Sequence, residues 1–124
     1  MLAQGATTMW ENWSGGSHIH DTLISIGAWF IEGIGGIRID EKAPGFTHFF
    51  IKPAVVGDLT FARTSYNSIH GKIVSNWRKE NGTLYIDVTL PVGTTATVLA
   101  SAEGGRTEYT VGSGNHHFES KLAR

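Results

Sequence analysis

The apolar positions of this chain follow one rule in its first third and another afterwards. Ile19, Leu23, Ile26, Phe30 and Ile34 recur at spacings of four, three, four and four, the period of one helical stripe. Ser17 stands where an N-cap would, Asp21 falls in the first turn where negative charge suits the helix dipole, and Gly33, Gly35 and Gly36 stop the pattern. Ile24, Gly27, Ala28, Trp29 and Ile31 fill the other faces, so the helix over 17–33 is apolar nearly all round and expects burial on several sides. A domain of 124 residues offers it only one. The mismatch points to a helix shaped inside something larger, and so to a chain that is a piece of a longer protein. Left bare, such a stripe would also invite a homodimer through the helix.

After Gly36 the pattern shortens to that of strands. "FTHFFIKP" (46–53) is a short extended run stopped by Pro53, "LTFARTSY" (59–66) alternates weakly, and "GKIVSNWRK" (71–79) follows it. Asn81-Gly82 suits a type I′ turn, and in the next strand Leu84, Ile86, Val88 and Leu90 face one way while Tyr85, Asp87 and Thr89 face the other. "TATVLA" (95–100), "RTEYTVG" (106–112) and "HHFESKL" (116–122) supply further short strands between glycine-rich turns. The expected fold is mainly β, an antiparallel jelly-roll-like β-sandwich preceded by one α-helix.

Composition narrows the function classes. Charged residues are only 17% of the chain and the formal net charge is −1, with no Lys or Arg run, so neither nucleic acid nor an anionic membrane is an expected partner. No cysteine is present, which excludes disulfides and thiolate metal sites. The stretch from Ile19 to Ile37 is broken by His20, Asp21, Glu32 and glycines, so no membrane span is expected. The start "MLAQGATTMW" has neither the charged beginning nor the apolar run of a signal peptide, and the compartment stays open.

Candidate chemistry concentrates in "GATTMWENWSGG" (5–16), where Glu11 lies between Trp10 and Trp13 in a stretch without regular period. Indole faces suit the apolar face of a sugar ring, and glycosidases need paired carboxyls, yet composition alone favours a surface or capping role for such a glutamate. His18 and His20 sit two apart at the helix start, where their rings do not share a face, so capping is the plainer reading and no metal is expected. His116 and His117 point to opposite faces of a strand and read as solvent residues. Gly33-x-Gly35-Gly36 follows a helix, the reverse of a phosphate loop. Asp40, Glu41 and Asp58 read as solvated loop charges. Tyr66, Trp77 and Tyr85 could line the sugar-binding groove of an accessory module, but aromatics in strands serve packing first.

The pieces taken in order resemble the C-terminal end of bacterial α-L-rhamnosidases of glycoside hydrolase family 78. The resemblance covers roughly residues 5 to 100 and rests on the Thr8-x-Trp10-Glu11 segment, the histidines at the helix start, and Ala43-Pro44-Gly45 ahead of a strand ending in Lys52-Pro53. Ser65-Tyr66-x-Ser68-x-x-Gly71-x-Ile73-x-Ser75-x-Trp77 and Val88-x-Leu90-Pro91-x-Gly93-Thr94-x-Ala96-x-Val98 continue it. It implies that residues 1–36 are the end of an (α/α)₆ catalytic barrel and residues 37–124 a C-terminal β-sandwich. Members hydrolyse terminal α-L-rhamnose from glycosides with inversion. By the same resemblance Glu11 is the general base, Trp10 and Trp13 line the rhamnose pocket, and His20 or His18 bonds a sugar hydroxyl. The general acid lies outside this chain, the remainder of the barrel is a necessary partner, and no cofactor is implied. A non-catalytic carbohydrate-binding or structural sandwich is the rival expectation.

Overall fold

One tight turn fixes the register of the central hairpin. Asn81 and Gly82 both take positive φ, 49° and 76°, as a type I′ connection requires. The protein is described by a computed structural model covering residues 2–8, 10–14, 16–18, 21–102 and 105–122. Helix α1 spans Asp21–Trp29 and is followed by a π turn, Phe30–Ile34. The strands are β1 (Ile37–Ile39), β2 (His48–Ile51), β3 (Phe61–Ser68), β4 (Gly71–Glu80), β5 (Thr83–Leu90), β6 (Thr95–Ala102), β7 (Gly105–Val111) and β8 (Gly114–Lys121).

The strands form two four-stranded sheets, ordered β1-β2-β6-β7 and β3-β4-β5-β8. The fold is therefore the expected mainly-β sandwich with one short helix. Pairing is antiparallel except between β2 and β6, which run parallel with His48 opposite Thr95 and Ile51 opposite Val98. A parallel pair needs a long crossover, and here the connection passes through three strands of the other sheet before it returns. β1 was not expected. Its three residues, Ile-Arg-Ile, are too few for a period to show, yet Ile37 is buried and pairs with Ile51.

Alternation places the core. Leu84, Ile86, Val88 and Leu90 of β5 and Ile73, Ser75 and Trp77 of β4 are buried on one side of their sheet. Phe49 and Ile51 of β2 and the small Ala96, Val98 and Ala100 of β6 are buried on the other sheet. Each layer mixes large and small side chains, Phe49 and Ile51 beside Ala96 and Ala100 on one and Trp77 beside Ser75 on the other, which lets the two layers interdigitate.

The sequence motifs find their physical reason where residues 32–36 meet the sandwich. The last turn of a helix leaves carbonyls without partners. Here Glu32 O accepts from Arg38 Nε at 2.9 Å, Gly33 O from Ala54 N at 2.9 Å and Gly36 O from Lys52 N at 2.8 Å. Between them Ile34 O accepts from Trp77 Nε1 at 2.9 Å and Gly35 O from the Ser75 hydroxyl at 2.7 Å. The Ser75-x-Trp77 spacing thus puts two buried donors on one face of β4, aimed at two successive carbonyls. Side chains are excluded from this junction. A Cβ on Gly35 would lie 2.4 Å from the Thr64 side chain, and one on Gly36, at φ +76°, would lie 2.2 Å from Pro53 N. The glycines do end the helical pattern, and they also let the backbone approach this closely.

By contact the chain divides into two units, Met1–Phe30 and Ile31–Arg124. No helix among the described residues is long and apolar enough to cross a membrane.

Candidate active site

In the first unit the segment around Glu11 is closed by its own hydrogen bonds. Glu11 N donates to Ser17 O at 2.9 Å, and Ser17 N donates back to Glu11 Oε2 at 3.2 Å. The Thr8 hydroxyl donates to His18 O, and Asn12 Oδ1 accepts from both the backbone N and the hydroxyl of Ser14, at 3.0 and 2.9 Å. Ser17 was expected to cap the helix. Among the described residues helix α1 spans Asp21–Trp29, and the Ser17 amide donates to the Glu11 carboxylate.

The loop bends tightly enough to bring its ends together. Gly16, at φ +79°, lies where a Cβ would stand 2.8 Å from Glu11 Oε2. Trp10 and His18 stack with centroids 4.5 Å apart and planes 14° from parallel. Trp10, Glu11 and His18 are therefore neighbours. Trp13 is 78% exposed and makes no ring contact among the described residues. His20 lies outside the described residues.

Glu11 is exposed and makes no ion pair among the described residues. A carboxylate that accepts one amide proton at one oxygen keeps lone pairs on the other, which can take a proton from water. Trp10, its neighbour in the chain, carries an indole stacked on the His18 imidazole. The arrangement suits general-base chemistry next to a flat, partly apolar ligand.

In the second unit the outer face of β4, β5 and β8 carries a charged network that the sequence reading missed. The Arg78 guanidinium lies 4.3 Å from the centroid of the Tyr85 ring and within 3.6 and 3.7 Å of Glu80 and Asp87 oxygens. His117 was expected to be a solvent residue. Its Nδ1 lies 2.6 Å from Asp87 Oδ1 and its Nε2 3.4 Å from Glu119 Oε1. The Asp87 hydrogen bond raises the His117 pKa above its ordinary 6.5, opposed by desolvation and supported by Glu119 and the charge of both carboxylates. His116 Nε2 donates to Gly112 O at 2.8 Å, so it too is engaged. The two nitrogens of His117 serve different carboxylates, and no group of three potential ligands among the described residues could hold a metal. Half of this network was within reach of the sequence: the Asn81-Gly82 turn sets Arg78 opposite Tyr85 and Asn76 opposite Asp87. The β8 half depends on non-local pairing.

The three aromatics considered for a sugar groove separate. Trp77 is 2% exposed and belongs to the core. Tyr66 packs on Phe46 at 4.9 Å, and Tyr85 lies under Arg78.

A two-sheet sandwich with a helix end sewn to its β4 donors describes a class of accessory β-domain, and comparison with known proteins gives it a family. The chain belongs to the bacterial α-L-rhamnosidase C-terminal domain family, whose model matches residues 36–114. An α-L-rhamnosidase of Streptomyces avermitilis is 31% identical over 94% of this chain, and one of Formosa agariphila is 34% identical over 78%. The chain spans only 14% and 12% of the length of these two relatives. The crystal structure of the Streptomyces avermitilis enzyme complexed with L-rhamnose superposes with a TM-score of 0.78 at 28% identity, covering 97% of this chain and 14% of that one.

Proposed function

We propose that this chain is the C-terminal portion of an inverting α-L-rhamnosidase that removes terminal α-L-rhamnose from glycosides. Residues 1–36 close the catalytic barrel and residues 37–124 form the sandwich. The observation that carries the reading is the reach of the likeness. The family's domain begins at residue 36, while the α-L-rhamnosidase of Streptomyces avermitilis aligns along 94% of the chain. The segment holding Glu11 is thus shared with complete glycosidases and not only with their accessory domain. Exposure supports the same division. Ile26, Trp29 and Phe30 of the first unit are 60%, 50% and 52% exposed. We assign that face to the missing barrel helices in preference to a second copy of the chain.

In this reading Glu11 is the general base. Inversion requires a water between base and sugar, which sets the two catalytic carboxyls about 6.5–9.5 Å apart. Ser17 N holds one Glu11 oxygen and leaves the other for that water. Trp10, stacked on His18, offers a fixed wall for the sugar, Trp13 offers a second, and His20 or His18 meets a sugar hydroxyl. The general acid is supplied by the rest of the barrel. Without it the leaving group is not protonated, at a cost of about 10²–10⁴ in rate, so the isolated chain is inactive.

The test is hydrolysis of p-nitrophenyl α-L-rhamnoside. The 124-residue chain alone should give no turnover. In an intact enzyme carrying this chain, Glu11→Gln should remove nearly all of kcat while the thermal midpoint stays in place. Turnover by the chain alone would overturn its inactivity, and full activity of the variant would overturn the base assignment.

A further inference from the structure

The outer face of the β3–β4 edge holds a groove of about 630 Å³ whose lining includes Phe61, Arg63, Asn76, Arg78 and Asp87. The register lays these side chains out as a grid. Phe61 is opposite Arg78 and Arg63 opposite Asn76, while Arg78 and Asn76 in turn face Tyr85 and Asp87. Successive rungs on one face are about 6.6–6.8 Å apart and neighbouring strands about 4.8 Å. Within this grid the charges are not equivalent. Arg78 is committed to the Tyr85 face, Glu80 and Asp87, and Asp87 is committed to Arg78 and His117. Arg63 makes no ion pair among the described residues. Phe61, one rung away on the same strand, is 62% exposed.

We propose that this groove binds an acidic glycan, with one hexuronate ring stacked on Phe61 and its carboxylate taken by Arg63. The chemistry follows from the groups that are left over. An aromatic face accepts the C–H face of a sugar ring, while the ring's hydroxyls demand planar polar partners such as the Asn76 amide. The planar guanidinium of Arg63 matches a carboxylate with two parallel hydrogen bonds. On this face two cations, Arg63 and Arg78, stand against two carboxylates, Glu80 and Asp87; both carboxylates are engaged by Arg78, so the charge left unanswered is that of Arg63. The site is independent of Glu11 and of the reaction assigned above.

Titration of the 124-residue chain with trigalacturonate, followed by amide NMR shifts, tests the assignment. Saturable shifts at residues 61, 63, 76 and 78 that weaken with added salt are expected. Arg63→Ala should weaken binding about ten- to a hundredfold, the loss typical of a hydrogen bond to a charged group. Arg63→Lys should fall between it and the unsubstituted chain, and Phe61→Ala should cost about two- to tenfold. Val92→Ala, beyond the far end of β5, should change nothing. Both groove positions are exposed, and an unchanged urea midpoint will verify that the variants fold. Absence of shifts in the groove overturns the proposal. So does equal binding of the methyl-esterified trisaccharide, which would remove the role of charge, or of an acidic peptide, which would remove the role of the ring.

Discussion

The two units of this chain treat the same residue types in opposite ways. In Ile31–Arg124, Trp77 is 2% exposed, fills the space between two sheets and spends its only polar atom on Ile34 O. In Met1–Phe30, Trp13 is 78% exposed and Trp29 50%. Between its two sheets the sandwich buries a core that includes Phe49, Ile73, Trp77 and Ile86, while Phe61, Ile69 and Val92 on its surface stay exposed. Helix α1 also carries an apolar sequence, yet its Ile26 and Trp29, and Phe30 just beyond it, remain exposed. What separates them is the availability of a second layer, since a sheet or helix buries its apolar face only against another element. In the proposed reading, the difference is that between a unit with its own second layer and a segment whose covering helices belong to the rest of the barrel.

Substitutions can sharpen that contrast. Trp77→Ala should destabilise the chain by about 3–5 kcal/mol in urea unfolding, whereas Trp29→Ala should stay within about 0.5 kcal/mol. Equal losses would break the comparison. At the junction, Gly36→Ala must place a methyl group 2.2 Å from Pro53 N at a φ of +76°, where backbone has nowhere to go. A loss of at least about 1–3 kcal/mol is expected from the same measurement. Gly27→Ala, with nothing within 4 Å of its Cβ, should be neutral or slightly stabilising.

The smallest effect concerns His117. Its pKa is raised in the folded state, so its contribution to stability is fully present below pH 6.5 and is lost as pH climbs through the raised value. The ring is about half exposed, so solvent screens the effect. The urea midpoint should therefore decline slightly from pH 6.5 upward, and His117→Gln should flatten that part of the profile. An unchanged profile would show that the Asp87 contact does not discriminate between the two charge states.

Much of the sandwich was legible because its determinants are local. The alternation from Leu84 to Leu90 and the Asn81-Gly82 turn specify a hairpin and its buried face without help from the rest of the chain. β1 escaped because three residues carry no period, and the parallel β2–β6 junction escaped because nothing in either strand names its partner. Ser75 and Trp77 were visible as a motif, but their purpose, donation to Gly35 O and Ile34 O, appears only once the backbone brings residues some forty positions apart together. The candidate site was the least legible part. Its chemistry depends on a loop that stacks Trp10 on His18 and returns Ser17 to Glu11, in a stretch with no period to read.

Glu11 carries the functional reading, and nucleophile rescue examines it most directly. In an intact enzyme carrying this chain, Glu11→Ala should be nearly inactive on an activated aryl α-L-rhamnoside, because no group remains to deprotonate the attacking water. Sodium azide needs no such group. It should restore turnover and yield the β-L-rhamnosyl azide, the product of attack from the face opposite the leaving group. No rescue from a folded variant, or an azide product of retained configuration, would contradict the assignment of Glu11 as the base of an inverting reaction.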